Sequence, residues 1–372
     1  MSRRSRGSIT IQDVARAAGV SAMTVSRVIN GERNVRESTR AAVLDAIKRL
    51  NYSPNAAARS LAAGEATHIG LLYANPSAAY LSQFLVGALA GARRAGCHLV
   101  LEACESETAD EQAEATRRFV ESGVDGVILP PPLSESRPIH AELAAAATPV
   151  VTVAMGLTEP GNLNVRIDDF AAAKAMTNHL LALGHRRIGF IRGHPNHSAS
   201  AERARGFAAA LDDYGLEAEQ GPTEQGYFTY RSGLVGAERL LLRTPRPTAI
   251  FASNDDMAAA AVNVAHRRGL DVPKDLSVVG FDDTWPATTV WPELTTVRQP
   301  IAAMAEAALE LLLADMRSHR SGGAPKESER VLDHELVVRE SCGPPPDQAK
   351  AAAPERPPSR AAAPRTQRSL VG

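Results

Sequence analysis

The chain has 372 residues, a formal net charge of −1, 44% hydrophobic residues and 22% charged residues, which suits a soluble protein of two or three domains. Three cysteines, Cys97, Cys104 and Cys342, contain no CxxC pair; this argues against a disulfide framework or a zinc finger and fits a reducing compartment. The Arg-rich start leads into no apolar signal region, and no apolar run reaches the length of a bilayer, so a cytoplasmic protein is expected.

Charge is unevenly placed. Residues 1–62 carry eleven basic and four acidic side chains, a local excess that suits contact with a polyanion but equally a solubilising terminus. Within it, Thr10 is placed to cap a helix in which Ile11, Val14, Ala15 and Ala18 share one face. Gly19 permits a left-handed residue, Val20 turns inward, and Ser21 caps a second helix whose buried face is Val25, Val28 and Ile29. Two short helices joined through glycine predict a helix-turn-helix. A third helix, Glu37–Leu50, is expected to close the core with Val43, Leu44, Ile47 and Leu50. The second helix should expose Ala22, Met23, Thr24, Ser26, Arg27 and Asn30. Such short side chains can approach base edges in a major groove. Arg27 can donate twice to guanine, while Ser21, Thr24, Ser26 and Asn30 suit phosphate oxygens. A surface helix of an ordinary helical bundle is the alternative.

Residues 51–64 form a connector. Pro54 presets a first helical turn, and Asn55 to Leu61 then make barely two turns, too few for a helix to persist alone. A flexible linker is the plain alternative.

From residue 65 to 342, short apolar runs alternate with amphipathic stretches. Strands are predicted at His68–Ala74, His98–Ala103, Gly126–Leu129, Val150–Ala154, Arg187–Ile191, Thr248–Ala252 and Ser277–Phe281. Helices are predicted at Leu81–Ala95, Asp110–Ser122, Ala171–Leu183, Ala201–Tyr214, Arg231–Arg243 and Asp255–Arg268, several ending at glycine (Gly96, Gly123, Gly184, Gly215, Gly269). This alternation predicts doubly wound parallel sheets. The length favours two lobes with a ligand cleft between them. Asn75, Ser77 and Tyr80 follow the first strand and are expected to line that cleft. Residues 343–372 are rich in Pro, Ala and Arg and predict a disordered tail. Its basic side chains could add nonspecific DNA affinity or be inert. The sequence shows no G-x-G-x-x-G after a strand, no Walker A, no HExxH and no G-x-S-x-G elbow. A non-enzyme without cofactor is therefore expected. His194 and His197 lack a third ligand for a metal, which leaves effector contact or ordinary surface.

The run TIQDVARAAGVSAMTVSRVING, with VREST and LNYSPNAAARSL, resembles the head and hinge of the LacI/GalR family. Further matching phrases extend to about Ser341: HIGLL at 68, LGHRRIG at 183, RARGF at 203, SND at 253, GFDD at 280 and LTTVRQP at 294. The resemblance implies an N-terminal all-α helix-turn-helix head on an α/β two-lobed, periplasmic-binding-protein-like core. It implies a homodimeric transcriptional regulator, a repressor in the first instance, bound to palindromic double-stranded operator DNA and controlled by a small effector, expected to be a sugar. Paired hinges would enter the minor groove, with Leu61 as an apolar wedge, Ala58 allowing close approach and Asn55 bonding the backbone. Arg203, Phe228, Asn254 and Asp282 match the family's effector contacts. On their residue types alone, Asn254 and Asp282 could instead cap helices and Phe228 could be core. Ala154 departs from the pattern, standing where several sugar-binding members place an acid. Ala22 and Met23 also depart, being small or apolar where other members read bases with polar groups.

Overall fold

The computed structural model describes residues 11–29, 35–50, 67–74, 76–104, 108–156, 162–217, 220–321 and 327–346. The expectations for Thr10, Asn30, Asn55, Ala58, Leu61, Asn75 and the tail beyond residue 346 lie outside these.

The head contains α1 (Ile11–Ala18), α2 (Ala22–Ile29) and α3 (Glu37–Leu50). Val14, Val25, Val43 and Ala46 are fully buried between them, with Ala15 and Val28 nearly so. Gly19 has φ +65°, and the turn closes with the Val20 N–H donating to the Ala15 carbonyl at 3.0 Å. Ser21 Oγ accepts from the Thr24 N–H at 3.2 Å, the cap that starts α2. Two details differ from the sequence reading. Leu44 is 53% exposed, because the helical row 43, 46/47, 50 already fills the core. Ala22 packs against that core instead of standing clear of it.

The body holds two parallel sheets. Lobe 1 is built on β1 (His68–Tyr73), β2 (His98–Ala103), β3 (Gly126–Leu129), β4 (Val150–Val153), β5 (Leu163–Ile167) and β11 (Glu329–Leu332), in the order β11-β5-β4-β3-β1-β2. Its helices include α4 (Ala78–Ala95), α5 (Ala109–Glu121), α6 (Arg137–Ala145) and α12 (Ile301–Arg320). Lobe 2 is built on β6 (Ile188–Ile191), β7 (Thr223–Glu224), β8 (Ala249–Ala252) and β9 (Ser277–Val279), in the order β7-β6-β8-β9. Around it lie α7 (Asp169–Ala182), α8 (Ser198–Asp213), α9 (Tyr230–Leu241), α10 (Asp255–Arg267) and the short α11 (Pro286–Thr289), and a small antiparallel pair joins β10 (Thr296–Arg298) to β12 (Glu335–Val337). The central strands are buried on both faces, as parallel strands require.

All seven predicted strands and six predicted helices are present within a few residues. The five C-terminal glycines all have positive φ. Strand β5 (LNVRI) and the edge strand β11 (ERVL) escape a search for continuous apolar runs because polar residues interrupt them. Helix α12 packs closely on α4, where a Cβ on Gly87 would lie 2.1 Å from the Ala302 carbonyl oxygen. At the C-terminal end, Gly343 is held by the buried His185 ring, which meets its carbonyl at 2.9 Å, and by Ser277 Oγ at 3.0 Å from its N–H. Ordered packing therefore runs past the point where the composition suggests a tail.

Candidate functional site

The cleft lies where strand C-termini of both sheets meet, the position at which open α/β sheets bind ligands. The empty space between its lining atoms is about 440 Å³ when the open mouth is counted. Lobe 1 contributes Pro76, Ser77, Tyr80, Pro131 and Ala154; lobe 2 contributes His197, Ala199, Arg203, Phe228, Asn254 and Asp282, with Gln299 on the segment between β10 and α12. Ala154, Phe228 and Asp282 have φ of 58°, 60° and 108°. Left-handed backbone at non-glycine residues is strained and clusters at functional sites.

Arg203, on α8, is the charge centre. Its Nε donates to Asp169 Oδ1 at 2.8 Å, its Nη1 donates to the Ser253 carbonyl at 2.6 Å and lies 3.8 Å from Asp282 Oδ1. The guanidinium sits 3.7 Å from the Phe281 ring centroid, a cation–π contact in a desolvated setting. Burial raises the Asp169 carboxyl above its usual range while Arg203 opposes the rise. Burial pushes Asp282 up to about 7, against the pull of Arg203 and of the Gln299 amide, which donates at 2.6 Å. Asp255 is also raised, by burial and by the neighbouring Asp282, although Thr284 and Thr296 hydrogen-bond its carboxylate.

The structure brings Arg203, Phe228, Asn254, Asp282, Ser77 and Tyr80 into this one cleft. The alternatives raised from residue type are partly realised as well. Asn254 caps α10, accepting from the Met257 N–H at 3.0 Å and donating to the Phe228 carbonyl at 3.0 Å. Ser77 caps α4 and donates to Asp256 Oδ2 at 2.6 Å across the lobes. Phe228 is half-buried; its ring packs over Gly193, where a Cβ would come within 2.0 Å of it, and stacks on His197 at 5.4 Å. Asp282 caps no helix.

Gln299, Asp169 and Pro131 were not singled out from the sequence. Gln299 sits inside the matched phrase LTTVRQP, and Asp169 follows the helix cap Asp168; neither shows from its local pattern that it meets Arg203 or Asp282. Of the histidine loop, His197 is among the residues lining the cleft and His194 is not. His197 is buried there, and burial with His194 and Arg203 nearby holds its pKa down to about 3. Three residues of the lining each keep a buried atom without a hydrogen-bond partner: Tyr80 Oη, His197 Nε2 and Gln299 Oε1. Further bonds close the cleft: Ser198 donates to Glu135 Oε1 at 2.8 Å through both its N–H and its Oγ, and Gln83 donates to the Asp283 carbonyl at 3.3 Å.

In the head, Met23 is 65% exposed and Arg27 lies one helical turn along the same face. Ser21 is exposed, and Thr24 and Ser26 are half-buried. Ser21 and Thr24 hydroxyls pair with each other at 2.9 Å. Among the described residues no group of three metal-ligating side chains occurs, and no helix is long and apolar enough to cross a membrane.

A helix-turn-helix head joined to a two-lobed sensor core defines a class of ligand-controlled DNA-binding regulators. Comparison with known proteins agrees. Residues 10–55 match bacterial regulatory proteins of the lacI family, and residues 177–342 match the periplasmic binding protein-like domain. The chain is 35% identical over 334 residues to catabolite control protein A of Priestia megaterium, covering 90% of this chain and 99% of that protein. It is 33% identical to the HTH-type transcriptional repressor PurR of Haemophilus influenzae (strain PittEE), covering 89% and 98%. Among solved structures, the transcriptional regulator CelR–cellobiose complex superposes with TM-score 0.68 at 32% identity, covering 90% of this chain and 99% of that one. The lac repressor dimer bound to operator and the anti-inducer ONPF gives TM-score 0.66 at 27% identity, covering 91% and 100%. The chain belongs to the LacI family of bacterial regulatory proteins.

Proposed function

We propose that this protein is a homodimeric repressor that binds a palindromic operator through residues 1–50 and a hinge at 51–64, and that a small carbohydrate in the cleft of residues 65–342 controls that binding. The observation that carries the reading is a capped helix-turn-helix on the same chain as a cleft with three buried, unpaired polar atoms. Relatives named as repressors, and a structural neighbour named with cellobiose, support it.

The head reads DNA through α2, with Arg27 aimed at a guanine and Ser21, Thr24, Ser26 and Asn30 at phosphates; Thr10 and Met23 are further DNA contacts. Asn55, Ala58 and Leu61 belong to the hinge, which folds against the minor groove. Arg203, Phe228, Asn254, Asp282, Asn75, Ser77 and Tyr80 form the effector contacts. The effector acts by preferring one interlobe arrangement, and it can shift the DNA-binding equilibrium only by that preference. We assign the chain no catalytic step, and a place in the cytoplasm where operator DNA is met. The test is selection of bound DNA from a random pool, repeated with a panel of sugars. A palindrome with a central pyrimidine–purine step, lost on adding one sugar and weakened in Leu61→Ala, is the expected result. Bound DNA without two-fold symmetry, indifferent to Leu61→Ala, would refute the hinge mechanism.

A further inference from the structure

Helix α2 offers few side chains to a groove. Among its described side chains only Met23 and Arg27 are exposed; Val25 and Val28 are buried, Thr24 and Ser26 are half-buried, and Ala22 packs against the core of the head. Ser21 precedes the helix, and its hydroxyl is already paired with that of Thr24 at 2.9 Å. Met23 is 65% exposed. Residues four apart on a helix are neighbours on one face, separated by about 6 Å along the axis. The outward face of α2 therefore carries one thioether and one guanidinium side by side.

The two ask for different partners. The guanidinium needs acceptors, and guanine supplies two. Met23 has no hydrogen-bond donor and only a weak sulfur acceptor. Pressed against the N4, N6, O6 or N7 of a base, it would strip water from that group and leave it unpaired, which is unfavourable. One base feature in the major groove makes no such demand, the C5-methyl group of thymine. A long, unbranched and polarizable side chain can close over that methyl without strain.

We propose, on the basis of the reading of α2 as the recognition helix, that Met23 is a specificity-determining contact to a thymine methyl group in each half-site. The thymine lies within about two base pairs of the guanine read by Arg27, because about 6 Å of helix spans about two steps of 3.4 Å along the duplex. Met23 reads the methyl and not the hydrogen-bond pattern of the pair, so 5-methylcytosine at the same place binds well and cytosine does not.

The test uses the full-length protein and the operator recovered from a random DNA pool, with binding read by fluorescence anisotropy. Thymines are replaced one at a time by deoxyuridine, which lacks only the methyl, first in one half-site and then in both. The expected result is one position near the Arg27-dependent guanine where the exchange weakens binding about fourfold in one half-site and about fifteenfold in both, the worth of one buried carbon each time. Cytosine at that position should also weaken binding, and 5-methylcytosine should restore most of it. Met23→Ala should erase the difference between thymine and deoxyuridine, while Met23→Leu should keep it; both variants should melt like the parent, since the side chain is mostly exposed. No methyl-sensitive position beside that guanine, or one that stays equally sensitive in Met23→Ala, overturns the proposal while leaving α2 as the recognition helix. A pool without base preference, or one whose preference relaxes nowhere in Arg27→Ala, ends the recognition-helix reading and the Met23 assignment with it.

Discussion

Replacing Tyr80 with Phe removes one atom, and the structure fixes the sign of two separate effects. The side chain is buried in the α4 wall of the cleft, its ring stacked near Phe84 at 6.3 Å, and its hydroxyl has no partner. Burial and the nearby Asp282 hold the phenol far above its usual pKa, so it is un-ionised. An unpaired buried hydroxyl costs on the order of 1–3 kcal/mol relative to an apolar group of the same shape. Tyr80→Phe should therefore stabilise the effector-free protein by about 2 kcal/mol, which raises Tm by roughly 4–8 °C in a domain of this size. The effector loses a hydrogen bond of about 1 kcal/mol, so the concentration needed to change operator occupancy should rise about fivefold. Differential scanning calorimetry of the full-length protein without ligand measures the first effect, and a titration on operator DNA the second. An unchanged or lower Tm in Tyr80→Phe would refute the argument, because it would mean that the hydroxyl is satisfied before any ligand arrives.

Three further outcomes follow from the same geometry. Asp282 has a carboxyl pKa raised to about 7, so the folded state binds this proton more tightly than the unfolded chain, and stability should fall as pH rises from about 4 through 7. Asp282→Asn should flatten that part of the Tm–pH curve; an equal slope in the variant would exclude Asp282 as its source. Arg203→Ala leaves Asp169 and Asp282 buried without their cation and should cost about 3–5 kcal/mol in urea unfolding at pH 8, whereas a loss under about 1 kcal/mol would show that both carboxyls are protonated there. Arg27→Ala should lower affinity for the selected operator by about 1–3 kcal/mol and relax the sequence requirement at one position of each half-site; an equal loss on random DNA would make Arg27 a phosphate contact.

Much of the head was legible because its information is local. The capping hydroxyl of Ser21, the left-handed Gly19 and the apolar rows of α1 and α2 act within a few residues of one another, and the structure reproduces them. Leu44 was misplaced for the complementary reason: α3 offers more apolar positions than a three-helix core can cover, and neighbouring helices decide which are buried. In the body, short buried runs such as GVIL and AIFA declared themselves as strands, while LNVRI and ERVL did not.

The cleft divides along the same line. The sequence by itself determined the kinds of side chain available, the order of strands and helices, and, through family phrases, that Arg203, Phe228, Asn254 and Asp282 belong to one site. Only the tertiary structure decided that Arg203 is shared between Asp169 and Asp282, that Asn254 spends both its polar atoms on backbone, and that Tyr80, His197 and Gln299 line one cleft while each keeps a buried polar atom without a partner. Strand pairings join segments as distant as β5 and β11, and the chain crosses repeatedly between lobes. Hydrogen-bond satisfaction and burial depend on that long-range assembly, and neither is written in the spacing of neighbouring residues.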